Sequence, residues 1–438
     1  MKRLPKIVMI GAGSASFGSS VIREAFTTRE LWGSELVLVD KNQTTLSKML
    51  KVVERINREL GADYLIKSTT NRCDALSGAD FVIIAIAIDR NKMWKYDFEI
   101  PKKYGIRHVL GENGGPGSLF HTMRNIPMIL DICRDMEKLC PDALLINFTN
   151  PESRICLAIN KYSRIKAVGL CHQIGAGLNI VSAITGRKRD NIDIKASGLN
   201  HFTWMLDIRD MSTGEDLYPE LIEKEKNFDP EYEKLSRYIF HKFGIFPVPG
   251  DGHLGEYIPF AFEMMSEKGF DFEVDEKYRV DMDKFIEDIG NGALPIDATM
   301  CEDWFGPDCS LLTPSNEDAF TIIKGMTFNT NEYLISVNIP NNGCISNLPD
   351  DAIVEVPALV GGFGIKGLSM GELPRGVAAL CNAQIAVQHL VVDAGATGNP
   401  VLAMQALLVD PCVTSANSAE DIFKELMKIN MPYLPQFK

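Results

Sequence analysis

Lys6-Ile7-Val8-Met9-Ile10 runs straight into Gly11-Ala12-Gly13-Ser14-Ala15-Ser16-Phe17-Gly18, and no other stretch restricts the fold as much. The first five residues read as a strand. A helix pattern through Val21, Ile22, Ala25 and Phe26 follows, and Leu36-Val37-Leu38-Val39-Asp40 reads as a second parallel strand that ends in an acid. This is the strand, glycine loop, helix, strand, acid order of a nucleotide-binding βαβ unit. Gly11 permits a tight turn, and Gly13 lets the backbone approach a pyrophosphate at the helix N-terminus, beside Ser14 and Phe17. Asp40 is placed to accept a hydrogen bond from an adenosine ribose, which favours NAD over NADP. Two details depart from the pattern: Ser16 holds the third glycine position, and Asp40 lies 27 residues past Gly13 rather than about 20. Residues 27–34 read as an insertion that absorbs the difference. A lone GxG would be an ordinary glycine turn; the flanking strands make it a cofactor site.

Further along, residues 80–87, 143–151 and 167–172 are apolar runs of the kind buried on both faces of a sheet. Helical patterns at 44–60, 122–138 and 175–185 separate them. The alternation predicts an α/β fold with a Rossmann-type doubly wound parallel sheet. Ligands in such sheets sit beyond the carboxyl ends of the strands, where Asp40, Asn147, Asn150, Cys171 and His172 fall. Cofactor contacts are expected at Gly11, Gly13, Ser14, Phe17, Asp40 and Asn147. Past about residue 195 glycine and proline become frequent and acidic stretches appear. We divide the chain into an NAD-binding domain, 1–195, and an α+β domain for substrate, metal and oligomerisation, 196–438. The apolar helix pattern over 376–393 is expected to be a buried core helix, with a subunit interface as the alternative.

Net charge is −13 and no Lys/Arg-rich block is present, which disfavours nucleic-acid partners. No uninterrupted apolar run reaches the ~18 residues of a membrane span. The basic start Met1-Lys2-Arg3 meets an apolar stretch too brief for a signal peptide. The ten cysteines form no CxxC pair. They are expected to be reduced thiols in a cytoplasmic protein.

The segments GAGSASF, NFTNP, GLCHQ, GLNHF, DGHLGEYIPF, NNGCISNLPDDAIVEVPALV and LLVDP span nearly the whole chain. Together they resemble glycoside hydrolase family 4, the NAD- and metal-dependent glycosidases related in fold to lactate and malate dehydrogenases. The resemblance implies a cycle outside the usual two-carboxylate scheme: oxidation at C3 of the sugar, loss of the C2 proton, elimination at C1, addition of water and re-reduction. It implies a divalent cation, Mn2+ foremost, and a homodimer or homotetramer.

Cys171 and His201 match the family's two metal positions, and a thiolate and an imidazole can share a divalent ion with substrate oxygens. A buried structural cysteine is the ordinary fate of such a residue; the strand-end position and the NHF context favour the ligand. In a continued strand His172 would face away from Cys171, making it a poor second ligand and a candidate proton donor to the leaving group. In the family, histidine after the cysteine accompanies unphosphorylated glycosides or uronides. Gln173 matches no family variant tied to a particular sugar. Tyr257 sits where the family places the base for the C2 proton, with Asp251 and His253 as rivals in the same loop. Asn150 is expected to touch substrate hydroxyls. Arg124 and Arg90 are candidate anion contacts, or simply solvated arginines. The competing functions are an NAD-dependent dehydrogenase of a 2-hydroxy acid and a non-enzymatic NAD sensor. A true dehydrogenase would need no metal thiolate, and a sensor no metal ligands.

Overall fold

The computed structural model describes residues 3–107, 109–265, 270–302 and 308–438. Six parallel strands form its first part: β1 (Lys6–Ile10), β2 (Glu35–Val39), β3 (Leu65–Thr69), β4 (Phe81–Ile84), β5 (Leu144–Asn147) and β6 (Ala167–Gly169). They lie in the order β3-β2-β1-β4-β5-β6, that of dinucleotide-binding sheets. Side chains alternate across β1, as the period of two requires. Ile7 and Met9 enter one core with the helices Ala15–Thr27 and Gln43–Leu60, while Val8 and Ile10 enter another with Gly115–Leu139 and Glu152–Tyr162. Both faces are buried, so the strands carry apolar residues without polar alternation.

The sheet does not stop at β6. Strands β7 (Ile192–Leu199), β8 (Phe202–Asp210), β9 (Glu332–Pro340), β10 (Ile353–Gly361) and β11 (Gly364–Gly367) continue it, in the order β6-β9-β10-β7-β8 with β11 beside β10. Each of these added pairings is antiparallel. The expected division at 195/196 falls inside β7, within this continuous sheet. The strands anticipated at 80–87, 143–151 and 167–172 are shorter than their apolar runs. They end at Ile84, Asn147 and Gly169, and the residues beyond turn out to line a cleft.

The helix Arg375–Thr397 is long and apolar enough, by length and composition, to cross a membrane. More than half of its most apolar window is buried inside the protein, with Val377, Cys381, Val387 and Val391 in two cores. It packs along Gly115–Leu139, and so matches the core-helix reading.

Arg124 lies on Gly115–Leu139 and is not a substrate contact. Its side chain is 2 % exposed and donates to both Asp97 oxygens, at 3.0 and 2.5 Å, and to Asn430 Oδ1 at 2.8 Å. The guanidinium therefore joins three helices. Burial pushes the Asp97 carboxyl up to about 6 even against the opposing pull of Arg124. Removing one partner of such a pair leaves an uncompensated buried charge, at a cost of about 3–5 kcal/mol. Arg124→Met is expected to lower unfolding stability by about that amount in a urea titration. Sugar affinity of the folded fraction should stay at the wild-type value, and a variant as stable as wild type would contradict this assignment.

Candidate active site

β1 turns out of the sheet at Gly11, whose φ of +93° suits glycine, and the N–H groups of Gly11 and Ala12 donate to Val39 O at 2.9 and 3.1 Å. Ser14 caps the following helix by accepting from Phe17 N at 3.2 Å. Asp40 ties the loop to β2: Oδ2 accepts from Gly13 N at 2.9 Å and Oδ1 from Asn42 N at 2.8 Å. The close packing expected of a third glycine is supplied two residues beyond Ser16, by Gly18. A Cβ there would stand 2.6 Å from Ala12 O.

A cleft of about 800 Å³ opens over this loop, lined in part by Gly11, Gly13, Ser14, Phe17, Asp40 and Asn150. Asn147 is not on its surface. It is fully buried, accepting from Thr149 N at 3.0 Å and donating to Thr149 O at 3.2 Å, so it shapes the loop that carries Thr149 and Asn150 into the cleft. A second cleft of about 1150 Å³ adjoins the first, and Ser16, Phe17, Arg90 and Arg279 border both. The shared arginines are already paired: Arg90 with Glu112 and Asp275, Arg279 with Asp275.

Cys171, His172, His201, His253 and Glu317 line the second cleft. Because β6 ends at Gly169, Cys171 and His172 leave the alternation of the strand and both reach this cleft, contrary to the opposite-face expectation. His172 Nδ1 lies 3.4 Å from Glu317 Oε1, and that carboxylate raises the imidazole's proton affinity above the ordinary range. Cys171 Sγ is 3.3 Å from His201 Nε2. Burial holds His201 well below the usual histidine range, with His253 and His172 adding to the effect, so the ring is neutral. Burial likewise pushes the Cys171 thiol far up, with Glu355 contributing.

The Cys171–His201 separation can be tested against a shared ion. Bonds of roughly 2.3 Å to sulfur and 2.1 Å to nitrogen span 3.3 Å at an angle of roughly 95–100°, which a four- to six-coordinate cation tolerates. The Cys171–His201 separation fits a cation, and His201 Nδ1 is buried with no hydrogen-bond partner among the described residues. Beside it, His201, His253 and Glu256 bring one ligand atom each within 4.8 Å of one another. The two imidazole rings lie 3.9 Å apart. Glu256 is fully buried: Oε1 accepts from Glu112 N and Asn113 N at 2.8 and 2.7 Å, and Oε2 lies 3.2 Å from His253 Nδ1. It therefore orients His253 and ties it to the loop preceding Gly115–Leu139.

Two expected catalytic residues lie elsewhere than in the cleft wall. Asp251 is committed to capping the helix Lys234–Phe243, accepting from Leu235 N, Ser236 N and Ser236 Oγ at 2.9, 2.8 and 2.7 Å. With those bonds made, it is not a free base. Tyr257 is 4 % exposed, packed against Phe202 with its ring tilted by 38°, and donates its hydroxyl to Asn200 O at 3.4 Å. Burial raises its phenol well above the ordinary range, and Arg154 opposes the rise.

Sequence reasoning missed Glu256, Glu317 and Arg154. Arg154 is fully buried with Nε and Nη2 unpartnered among the described residues. Glu256 had a local signal, an acid between His253 and Tyr257; Glu317, 145 residues from His172, had none.

Residues 6–185 match the model of the family 4 glycosyl hydrolases, and residues 196–413 match that of the family 4 glycosyl hydrolase C-terminal domain. An alpha-glucosidase of Erwinia rhapontici is 32 % identical over 474 aligned positions, covering 99 % of both chains. An alpha-galactosidase of Bacillus subtilis (strain 168) is 31 % identical, covering 99 % of this chain and 100 % of its own. The solved 6-phospho-alpha-glucosidase from gut microorganisms, in complex with NAD and Mn2+, superposes with a TM-score of 0.82 at 20 % identity, covering all of both chains. With both halves matched, the chain belongs to family 4 of the glycosyl hydrolases and is a glycosidase rather than a 2-hydroxy-acid dehydrogenase.

Proposed function

We propose that this enzyme hydrolyses an unphosphorylated α-hexoside or α-uronide, using NAD in the glycine-loop cleft and a divalent cation, Mn2+ foremost, at Cys171 and His201. The observation that carries the reading is the 3.3 Å approach of Cys171 Sγ to His201 Nε2 in a cleft bordering the glycine loop. The NAD and Mn2+ of the solved 6-phospho-alpha-glucosidase support it, as do the alpha-glucosidase and alpha-galactosidase relatives. When bound, NAD takes and returns a hydride at C3 while the cation polarises the C3 oxygen and so acidifies the C2 proton.

In this reading Gly11, Gly13, Ser14 and Phe17 seat the dinucleotide, and Asp40 accepts from its ribose. Asn150 orients sugar hydroxyls at the mouth of the cleft. Cys171 gives up its thiol proton to become a ligand, which the neutral His201 already is. Tyr257, next to the Asn200–His201 turn, removes the C2 proton once the adjoining positive charge lowers its phenol. His172, whose proton affinity Glu317 raises, donates to the leaving oxygen at C1. One observation favours His253 as the C2 base instead: it lines the cleft, whereas Tyr257 does not.

The unphosphorylated class rests on His172 following Cys171, and the pairing of Arg90 and Arg279 with acids supports it. We place the enzyme in the cytoplasm, in keeping with ten cysteines that form no disulfide among the described residues. We further expect a homodimer or homotetramer, for which exposed Val401, Leu408 and Val409 on the helix Pro400–Val409 offer an apolar face.

Activity on aryl α-glycosides is expected to need both NAD and the cation, and full turnover after exhaustive chelation and cofactor removal would refute the cycle. Cys171→Ser should keep the fold and lose Mn2+ affinity in a calorimetric titration, and undiminished affinity would remove the thiolate from the ligand set. A substrate deuterated at C2 should exchange that label for solvent hydrogen during cleavage, because the C3 ketone makes the position acidic. Tyr257→Phe should suppress exchange and cleavage together while NAD still binds. Cleavage with the label fully retained would exclude the mechanism.

A further inference from the structure

One hydrogen-bonded row crosses the added part of the sheet. Gly169 of β6 pairs with Asn338 of β9, Asn338 with Glu355 of β10, Glu355 with Gly198 of β7, and Gly198 with Thr203 of β8. Two of these joins, β6 to β9 and β10 to β7, rest on that single registered pair. Cys171 lies two residues beyond one end of the row and His201 three beyond Gly198. The separation of thiol and imidazole is therefore set by how the middle of the row is held.

Glu355 occupies that middle, 2 % exposed. Its carboxylate accepts from Asn200 Nδ2 at 3.1 Å, from Gln173 Nε2 at 3.4 Å and from Ser336 Oγ. Asn200 immediately precedes His201, and Gln173 is two residues past Cys171. All three donors are neutral, so the carboxyl accepts from each and meets no cation among the described residues. A buried anion without a positive partner is costly, and a divalent ion at the adjacent Cys171–His201 pair would supply one.

We propose that Glu355 is a positioning residue for the cation site: it clamps the segments bearing Cys171 and His201 at ligand spacing and provides the balancing charge for a divalent ion. The proposal rests on the Cys171–His201 metal reading. Carboxylates that orient ligands in this way typically change metal affinity about 10- to 100-fold when removed.

The test compares wild type and Glu355→Gln as full-length chains. Mn2+ affinity is measured by calorimetry, and the near-ultraviolet thiolate-to-Co2+ charge-transfer band is recorded alongside. Thermal midpoint and NAD affinity without metal serve as fold controls. We expect Mn2+ affinity to fall about 10- to 100-fold and the Co2+ band to weaken or shift, with both controls near wild type. Affinity within twofold of wild type and an unaltered band would overturn the proposal. If Glu355→Gln does not fold, Ser336→Ala leaves the carboxylate and removes one of its donors. It should weaken Mn2+ by about fivefold, the loss of one hydrogen bond, and unchanged affinity there overturns the proposal equally. A wild-type chain that binds neither Mn2+ nor Co2+ would overturn the metal reading and this inference with it, whereas tight binding indifferent to Glu355 overturns the inference alone.

Discussion

The pairing of Gly169 with Asn338 joins β6 to β9, and the candidate site depends on it. Without that contact the first six strands would form a complete nucleotide sheet with an open edge. With it, β9, β10, β7 and β8 extend the same sheet, and the turn between β7 and β8 delivers His201 to the end of β6 where Cys171 emerges. Cys171 and His201 come from segments 30 residues apart in sequence, yet they stand at 3.3 Å because the strands that precede them belong to one ladder. The cofactor loop at the end of β1 and the cation pair beyond β6 open on the same side, and Phe17 borders both clefts.

That arrangement concentrates buried ionisable groups. Glu152 and Glu355 are both fully enclosed, and burial pushes their carboxyls up to about 8 and about 7. Arg154 is enclosed as well, with part of its guanidinium unpartnered among the described residues. Packing apolar residues in these places would stabilise the fold more. Strongly perturbed ionisable groups of this kind cluster at functional sites.

The first half was legible because its signals are local. A glycine turn between two apolar runs, an acid at the end of the second, and helices of the right period need no distant partner to be recognised. The antiparallel extension was not legible, since β6 meets β9 across more than 160 residues and single-pair joins leave no pattern in composition. Strand ends were misplaced for a related reason: Cys171 and His172 continue an apolar run, and nothing in that run announces that the ladder stops at Gly169. Arg124 was read as an anion contact or a solvated arginine, and Asp251 as a rival base, because charged residues are usually exposed to solvent or ligand. Their actual partners, Asp97 and the first turn of Lys234–Phe243, are fixed by helix packing. Motif reasoning singled out Cys171 and His201, which the fold brings to 3.3 Å, but not the acids Glu256 and Glu317 beside His253 and His172.

A ladder that runs unbroken from β3 to β8 has a mechanical corollary. Enzymes built as two lobes on a hinge open and shut by bending a few connecting residues. Here the halves share strands at the very place a hinge would lie, and bending there would break backbone pairings buried on both faces. The cleft floor behaves as a fixed bench on which the dinucleotide loop and the cation pair hold constant distance. Motion that admits a sugar and releases its products falls to segments outside the ladder.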